Sequence, residues 1–149
     1  MKIVLQRVSK SSVHIEGKLK GEIGKGFLLL LGISTTDTEN DIDWLVKKIC
    51  QLRVFNDEND KMNLSIQDIS GDILLISQFT LYANIKKGNR PSYIKAARPE
   101  VAVPLYELFI QKLETALKKP IQTGIFGADM QVALINDGPV TIVMDSLEK

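Results

Sequence analysis

The order of apolar and polar residues divides the chain into strands and two helices. Short runs rich in β-branched residues, separated by turns that contain glycine, predict strands throughout the first third of the chain. A continuous apolar run at 27–33 predicts a strand that is buried on both faces. The other early strands are predicted at 3–8, 13–15 and 19–23, with residues 9–12 as a connection, and together they form an antiparallel meander.

Apolar residues at helical spacing predict two amphipathic helices. The first begins near Thr38, where Asp37 or Thr38 can cap it. The second runs from about Glu100 to 117, tolerates Pro104 near its start and ends before Pro120. The predicted apolar stripes are Ile42, Leu45, Val46, Ile49 and Leu52 in the first helix, and Leu105, Leu108, Phe109, Leu113, Ala116 and Leu117 in the second.

The remaining segments complete a strand–helix–strand–helix–strand order. A polar loop is predicted at 56–63 and a buried strand at 72–78. Near the end, two strands at 130–135 and 140–144 flank a tight turn at 136–138. This order predicts an α+β fold in which a largely antiparallel sheet closes into a β-barrel-like core with two main helices. With no repeats and no linker rich in Pro, Gly or Ser, residues 1–149 are predicted to form a single domain.

Composition narrows the function classes only slightly. The net charge of the 149-residue chain is +1, which excludes a general field for nucleic acid but permits a local basic patch. The lone cysteine, Cys50, cannot form an internal disulfide and suits a reducing compartment. The start of the chain lacks a signal-peptide pattern, and the longest apolar run, 27–31, is too short to cross a bilayer. We therefore expect a cytoplasmic protein.

Conventional catalytic groups are scarce. There is no Gly-rich phosphate loop and no dinucleotide fingerprint. A Ser-His-Asp triad would have to use the single histidine, His14, which is more often a structural residue. Cys50 lies beside the apolar stripe of the first helix and is expected in the core. The acidic loop with Asp57, Glu58 and Asp60 is expected to be solvated. We predict no metal and no cofactor.

Two segments are harder to explain by packing. In 77–81, a buried strand ends in polar side chains around Phe79, and buried polar groups without partners are costly. In 136–141, a turn of Asn, Asp and Gly is followed directly by Pro139. An ordinary strand end and an edge hairpin opened by proline remain open alternatives for these two segments.

Together the two segments resemble the signature of the D-aminoacyl-tRNA deacylase family. Five further stretches match that family in order: 6–8 (QRV), 24–26 (GKG), 61–65 (KMNLS), 88–92 (GNRPS) and 124–130 (GIFGADM). Each stretch alone is a weak signal, but the ordered set covers nearly the whole chain.

The resemblance implies an enzyme that hydrolyses the ester between a D-amino acid and the terminal adenosine of tRNA. It also implies removal of glycine mischarged onto tRNA, and a homodimer with active sites at the subunit interface. Gln78, Phe79 and Thr80 are expected to supply backbone N–H groups to the oxyanion, while the 2′-hydroxyl of the RNA helps orient water. Thr80 is the obvious candidate nucleophile, yet no general base accompanies it in sequence.

The same resemblance assigns substrate binding to five residues. Gly138 and Pro139 form the expected chirality filter, with a cis bond whose carbonyl oxygens accept hydrogen bonds from the α-ammonium group of the substrate. An L side chain would then clash with this backbone. Ser77 lines the site, and Arg7 and Met130 are expected neighbours of the filter. An ordinary strand arginine and an ordinary core methionine are equally good interpretations of Arg7 and Met130.

RNA contact and two rival functions stay open. Lys86, Lys87 and Arg90 can hold phosphates of the tRNA 3′ end, although basic loop residues are more often only solvated. One rival is a binding module without turnover. The other is an esterase or amidase for small molecules, with Thr80 or Ser77 as nucleophile and His14 as base.

Overall fold

The computed structural model describes residues 1–148 and contains two helices and eight strands. The helices are α1 (Glu39–Gln51) and α2 (Pro99–Leu117). The strands are β1 (Lys2–Ile15), β2 (Lys18–Ile23), β3 (Gly26–Gly32), β4 (Phe55–Asn56), β5 (Met62–Leu64), β6 (Asp72–Ser77), β7 (Gln122–Thr123) and β8 (Gln131–Asp145). Short 3₁₀ turns span Phe79–Tyr82 and Ser146–Glu148.

Six strands form one curved sheet in the order β2-β1-β3-β6-β7, with β8 paired to β1. The predicted α+β fold with a barrel-like sheet is confirmed, but the sheet is mixed. The β3–β6 and β6–β7 pairs are parallel, whereas β1 pairs antiparallel with β2, β3 and β8. Parallel pairing needs a long crossover, and α1 and α2 lie in the two connections that provide it.

Two predicted interruptions are wrong. Residues 9–12 continue β1 instead of connecting two strands, because Ser11 and Ser12 pair with both β2 and β8; the Ser11 hydroxyl also donates to the Ala133 carbonyl (2.9 Å). The segment 136–138 does not reverse the chain between two hairpin strands. Both halves of β8 pair with the long strand β1, from Lys2↔Asp145 to His14↔Gln131, so the chain bulges outward and then resumes its direction.

The two faces of the sheet bury different sets of residues. Ile3, Leu5, Phe27 and Leu31 pack towards the helices, while alternate positions such as Leu28 pack in a second buried cluster on the opposite face of the sheet. The predicted stripe of α1 is confirmed, with Leu52 only half-buried. The predicted stripe of α2 also packs against the core, but only Phe109 and Leu113 of it are fully buried, and Ala102 and Tyr106 complete the buried face.

Two smaller features complete the architecture. The predicted loop at 56–63 is a small hairpin of β4 and β5, closed around Asp57, whose carboxylate accepts hydrogen bonds from the N–H groups of Asn59 (2.8 Å) and Lys61 (3.1 Å). Among residues 1–148, neither helix combines the length and apolar character needed to cross a bilayer.

Candidate active site

A pocket of about 290 Å³ opens where the parallel strands β3 and β6 end side by side. Open sheets commonly bind ligands beyond the carboxyl ends of parallel strands, where polar backbone groups leave the sheet. The pocket is lined by Leu31, Ile33, Ile76, Ser77, Gln78, Phe79, Ala97, Ala102, Phe126, Gly127, Ala128, Met130 and Val132.

The backbone that follows β6 turns at the pocket, and its N–H groups differ in whether the fold already uses them. The N–H of Gln78 donates to the Leu31 carbonyl (2.7 Å), so this donor is used by the fold. Phe79 and Thr80 begin the 3₁₀ turn, whose first hydrogen bond runs from Leu81 N–H to the Gln78 carbonyl (3.3 Å). Because the first donors of a helical turn have no partner within it, Phe79 and Thr80 are the better candidates for holding an anion.

The hydroxyl of Thr80 is held as an acceptor. The side-chain amide of Gln78 donates from Nε2 to Thr80 Oγ1. An activated nucleophile needs a base that accepts its proton, and an amide N–H cannot do so. In the described part of the chain, no hydrogen bond joins His14 to Thr80 or Ser77; His14 pairs along β1 with Leu19 and Gln131.

Two aromatic side chains, Phe79 and Phe126, line the pocket, and each packs against a tyrosine. Phe79 is 55% exposed and meets Tyr93 edge to face, with 4.9 Å between ring centroids. Phe126 packs on Tyr106 at 5.7 Å. Tyr106 donates its hydroxyl to the Leu75 carbonyl (3.2 Å), and burial raises the pKa of this phenol to about 12, so it stays neutral and structural.

Gly138 and Pro139 lie in the outward bulge of β8 and are joined by a cis bond. Between Gln6↔Thr141 and Val8↔Asn136, one residue of β1 faces four residues of β8. Asn136 stabilises the bulge, because its Oδ1 accepts the Val140 N–H (2.9 Å) and its Nδ2 donates to the Thr141 hydroxyl (2.8 Å). Gly138 has φ +127°, a value that L-residues rarely adopt.

Arg7 of β1 holds this bulge in place through hydrogen bonds. Its Nε donates to the Asp137 carbonyl (2.9 Å), and its Nη1 donates to the Val54 carbonyl (2.6 Å) and to Asn56 Oδ1 (3.3 Å). The side chain is almost fully buried, with the Asp137 carboxylate 3.6 Å from Nε. A methyl group on Gly138 would lie 2.7 Å from Arg7 Nη2. Arg7 therefore holds the backbone of the motif.

Within a single chain, the pocket and the bulge of β8 lie at different places along β3. Arg7 pairs with Phe27 at the start of β3, whereas Gln78 bonds Leu31 four residues further on, which corresponds to about 13 Å along the strand. Ser77, Gln78, Phe79 and Met130 share the pocket. The structure leaves Gly138, Pro139 and Arg7 outside it, and Thr80 lies next to the pocket lining.

Several lining residues were not predicted as site residues. Leu31 and Ile33 read as ordinary strand residues, and Ala97 and Ala102 carry no chemical signal. Phe126, Gly127 and Ala128 belong to the stretch 124–130, whose resemblance to the family is the one sequence feature that could have identified them as lining residues. Gly124 in this stretch makes room for Met130, because any Cβ at Gly124 would overlap the Met130 sulfur.

Cys50 is not part of this site. It is 4% exposed and lies in the core between the sheet and the helices. Burial raises the pKa of its thiol to about 11, which leaves almost no reactive thiolate at neutral pH. Its predicted role as a core residue is confirmed.

Two curated relatives match this chain over nearly its whole length. A D-aminoacyl-tRNA deacylase from Flavobacterium johnsoniae is 61% identical over 146 residues, which is 98% of this chain and 97% of the relative. Another, from Bacteroides thetaiotaomicron, is 62% identical over 149 residues and covers 100% of this chain and 99% of the relative.

Solved structures show the same fold. A structure of a c-Myc DNA Unwinding Element Binding Protein superposes with a TM-score of 0.93 at 43% identity, covering 97% of this chain and 98% of the other. A probable eukaryotic D-amino acid tRNA deacylase superposes with a TM-score of 0.83 at 16% identity, covering 96% and 97%. The family model for D-Tyr-tRNA(Tyr) deacylase matches residues 4–145. The chain therefore belongs to the D-Tyr-tRNA(Tyr) deacylase family.

Proposed function

We propose that this protein hydrolyses the ester bond between a D-amino acid, or mischarged glycine, and the terminal adenosine of tRNA. Family membership and the names of the relatives support the reaction class. The observation that carries the proposal is the pocket at the ends of β3 and β6, which is lined by Gln78 and Phe79 and from which the 3₁₀ turn of Phe79 and Thr80 starts. A cytoplasmic location follows from this substrate, because aminoacyl-tRNA is used there.

The reaction needs positioning more than acid–base groups. An aminoacyl ester is already activated, so a positioned water can attack its carbonyl carbon directly. Water adds to the carbonyl carbon and gives a tetrahedral oxyanion, which collapses to the free amino acid as the bond to the ribose oxygen breaks; the proton from water passes to that oxygen. The N–H groups of Phe79 and Thr80 stabilise the oxyanion, a contribution worth about 3–4 kcal/mol for one such donor in other enzymes. The ribose 2′-hydroxyl orients the water.

Gly138 and Pro139 act as the chirality filter in this proposal. Their exposed backbone carbonyls accept hydrogen bonds from the α-ammonium group, while the side chain of an L-amino acid would be forced into the bulge. Rejection by about 10⁴ needs about 5.5 kcal/mol, which a clash with an immobile backbone can supply. Arg7 supplies that immobility through its bonds to Asp137 and Val54. Glycine has no side chain and passes the filter.

In this proposal the protein is a homodimer, and Gly138 and Pro139 of one copy lie at the pocket of the other. Within one chain the bulge lies about four strand positions from the end of β3 where the pocket opens, so another copy must bring the two together. In a two-fold dimer, each bulge can enter the pocket of the partner, which creates two equal sites. In support, β8 pairs only with β1 among the described strands and exposes Ile135 (50%) and Val143 (70%).

Multiple turnover separates this proposal from its rivals. Catalytic amounts of protein should release many equivalents of D-tyrosine from D-Tyr-tRNA, and of glycine from mischarged Gly-tRNA. Tight binding with at most one equivalent released would indicate a binding module. Hydrolysis of small esters that lack adenosine, abolished by His14→Ala, would indicate a general esterase.

A further inference from the structure

The most basic stretch of the chain has no counter-charge and lies directly beside the pocket. Between Asp72 and Glu100 there is no acidic residue, yet Lys86, Lys87, Arg90, Lys95 and Arg98 all fall there. The chain as a whole has 19 basic and 18 acidic residues. Without these five cations its net charge would be negative, so the positive charge is concentrated in residues 84–98, here called the basic segment.

All five cationic side chains are available to a partner. Each is exposed, and none makes a salt bridge within the described part of the chain. Lys112 and Lys119, by contrast, pair with carboxylates. Unpaired like charges in one segment repel one another, so their clustering favours an anionic partner.

The fold holds the basic segment in a defined shape. Asn84 and Ser92 exchange two backbone hydrogen bonds (2.8 and 3.0 Å), which closes a hairpin with Lys86, Lys87 and Arg90 at its tip. Its second part bonds to the residues that follow β3, through Thr35 N–H to the Lys95 carbonyl (3.2 Å) and Ala97 N–H to the Ile33 carbonyl (2.9 Å). Ile33 and Ala97 also line the pocket, so the cations are fixed relative to it.

Exposed aromatic rings connect the pocket to the basic segment. Phe79 lies at the rim, and its ring meets Tyr93, which belongs to the basic segment and is 37% exposed. Aromatic faces beside a positive surface are the features with which proteins hold single-stranded RNA, by stacking bases and neutralising phosphates. An acidic protein would provide the charge but would leave these rings unused.

We infer that the basic segment grips the acceptor arm of tRNA. The single-stranded 3′ end passes over Phe79 and Tyr93, and the phosphates that follow lie along the five cations. This inference rests on the proposed function for its partner, but it concerns RNA binding and not ester hydrolysis. It predicts that most of the affinity for tRNA is electrostatic and is carried by these residues.

The test compares two sets of five substitutions to glutamine. The first set neutralises Lys86, Lys87, Arg90, Lys95 and Arg98. The matched control set removes the same charge elsewhere on the surface, from Lys18, Lys20, Lys47, Lys48 and Lys61, all exposed. Binding of uncharged tRNA is measured at several salt concentrations, and hydrolysis is measured on 3′-O-(D-tyrosyl)adenosine, which has no phosphates.

The first set should weaken tRNA binding by at least about tenfold and reduce the magnitude of the slope of log K against log salt by about 3.5–4.5. The control set should remain within about twofold, and both should hydrolyse the adenosine ester as the wild type does. Unchanged binding by the first set, or equal weakening by the control set, would overturn the inference. If the wild type hydrolysed neither D-Tyr-tRNA nor 3′-O-(D-tyrosyl)adenosine, the proposed function would be refuted. The comparison of tRNA binding between the two sets of variants would still decide the inference about the basic segment.

Discussion

The guanidinium of Arg7 and the carbonyl of Asp137 are joined by a 2.9 Å hydrogen bond that links the first strand to the bulge of the last. The two residues are 130 positions apart in the chain. The same guanidinium bonds the Val54 carbonyl, so three segments meet at one buried cation. In our proposal this junction sets the position of Gly138 and Pro139, and hence the stereochemistry that the enzyme accepts.

Replacing Arg7 by methionine should loosen the filter while keeping much of the apolar packing. Hydrogen bonds to charged groups contribute about 1.5–3 kcal/mol, so we expect unfolding in urea to show a loss of about 2–3 kcal/mol. The ratio of D-ester to L-ester hydrolysis should fall by at least about tenfold. Arg53→Met is the matched control, because exposed Arg53 also donates to a backbone carbonyl, that of Asn63 (2.8 Å), but away from the bulge. Unchanged selectivity in Arg7→Met would contradict the positioning role.

Gly138→Ala should damage the filter through a direct clash. Its new Cβ would lie 2.7 Å from Arg7 Nη2 and 3.1 Å from Val140 Cγ2, at a φ that disfavours any side chain. We expect D-ester hydrolysis to fall by at least about tenfold, with about 1–3 kcal/mol lost in stability. Gly17→Ala has a similarly positive φ (+75°) but open space around it. It should lose stability only, and equal loss of activity in both variants would count against a specific role for Gly138.

Thr80→Val tests whether the hydroxyl does chemistry. The variant keeps the backbone N–H and a similar shape, so we expect activity within about tenfold of the wild type, which matches the loss of one neutral hydrogen bond. His14→Ala should retain full activity, because no hydrogen bond joins His14 to Thr80 or Ser77 among the described residues. Mass spectrometry of the wild type during turnover supplies the decisive check. Complete loss in Thr80→Val together with a trapped acyl-enzyme would show a nucleophilic threonine.

Cys50 should be unreactive in the folded protein. With its pKa raised to about 11 by burial, iodoacetamide at pH 8 should modify it at least about tenfold more slowly than in urea. The same shift has a stability consequence. The thiol of the unfolded chain ionises near its ordinary pKa of 9.0, whereas the folded thiol stays protonated up to about 11. The contribution of Cys50 to the free energy of unfolding is therefore fully present below pH 9 and is lost as pH rises towards 11. Cys50→Ala should lose less stability than the wild type between pH 9 and 11, and identical profiles would be inconsistent with the shift.

The periodic parts of the fold follow from sequence, because burial on one face imposes its own spacing. Ile42, Leu45 and Ile49 predict α1 in this way, and the run that ends at Leu31 predicts β3. The bulge at 137–140 was not predictable from these local signals. Asn-Asp-Gly is typical of a tight turn, and only the length of β1, which pairs with both halves of β8, prevents a hairpin.

The candidate site was predictable by resemblance but not by residue chemistry. Gln78 and Phe79 attract attention as polar and aromatic residues at a strand end, yet the use of the Gln78 N–H by Leu31 depends on parallel pairing that local sequence does not specify. Ala102 lines the pocket from the first turn of α2, and Ala97 lines it next to Ile33, whose carbonyl accepts its N–H; local sequence specifies neither placement. The separation of Gly138 from Gln78 is likewise a property of the assembled sheet.

The decisive measurement for the proposed reaction is hydrolysis of D-Tyr-tRNA and L-Tyr-tRNA under identical conditions, with the protein well below the substrate concentration. We expect multiple turnovers of the D-ester and rejection of the L-ester by about 10⁴, the ratio that corresponds to about 5.5 kcal/mol. Equal rates for the two esters, or no turnover of the D-ester, would contradict it.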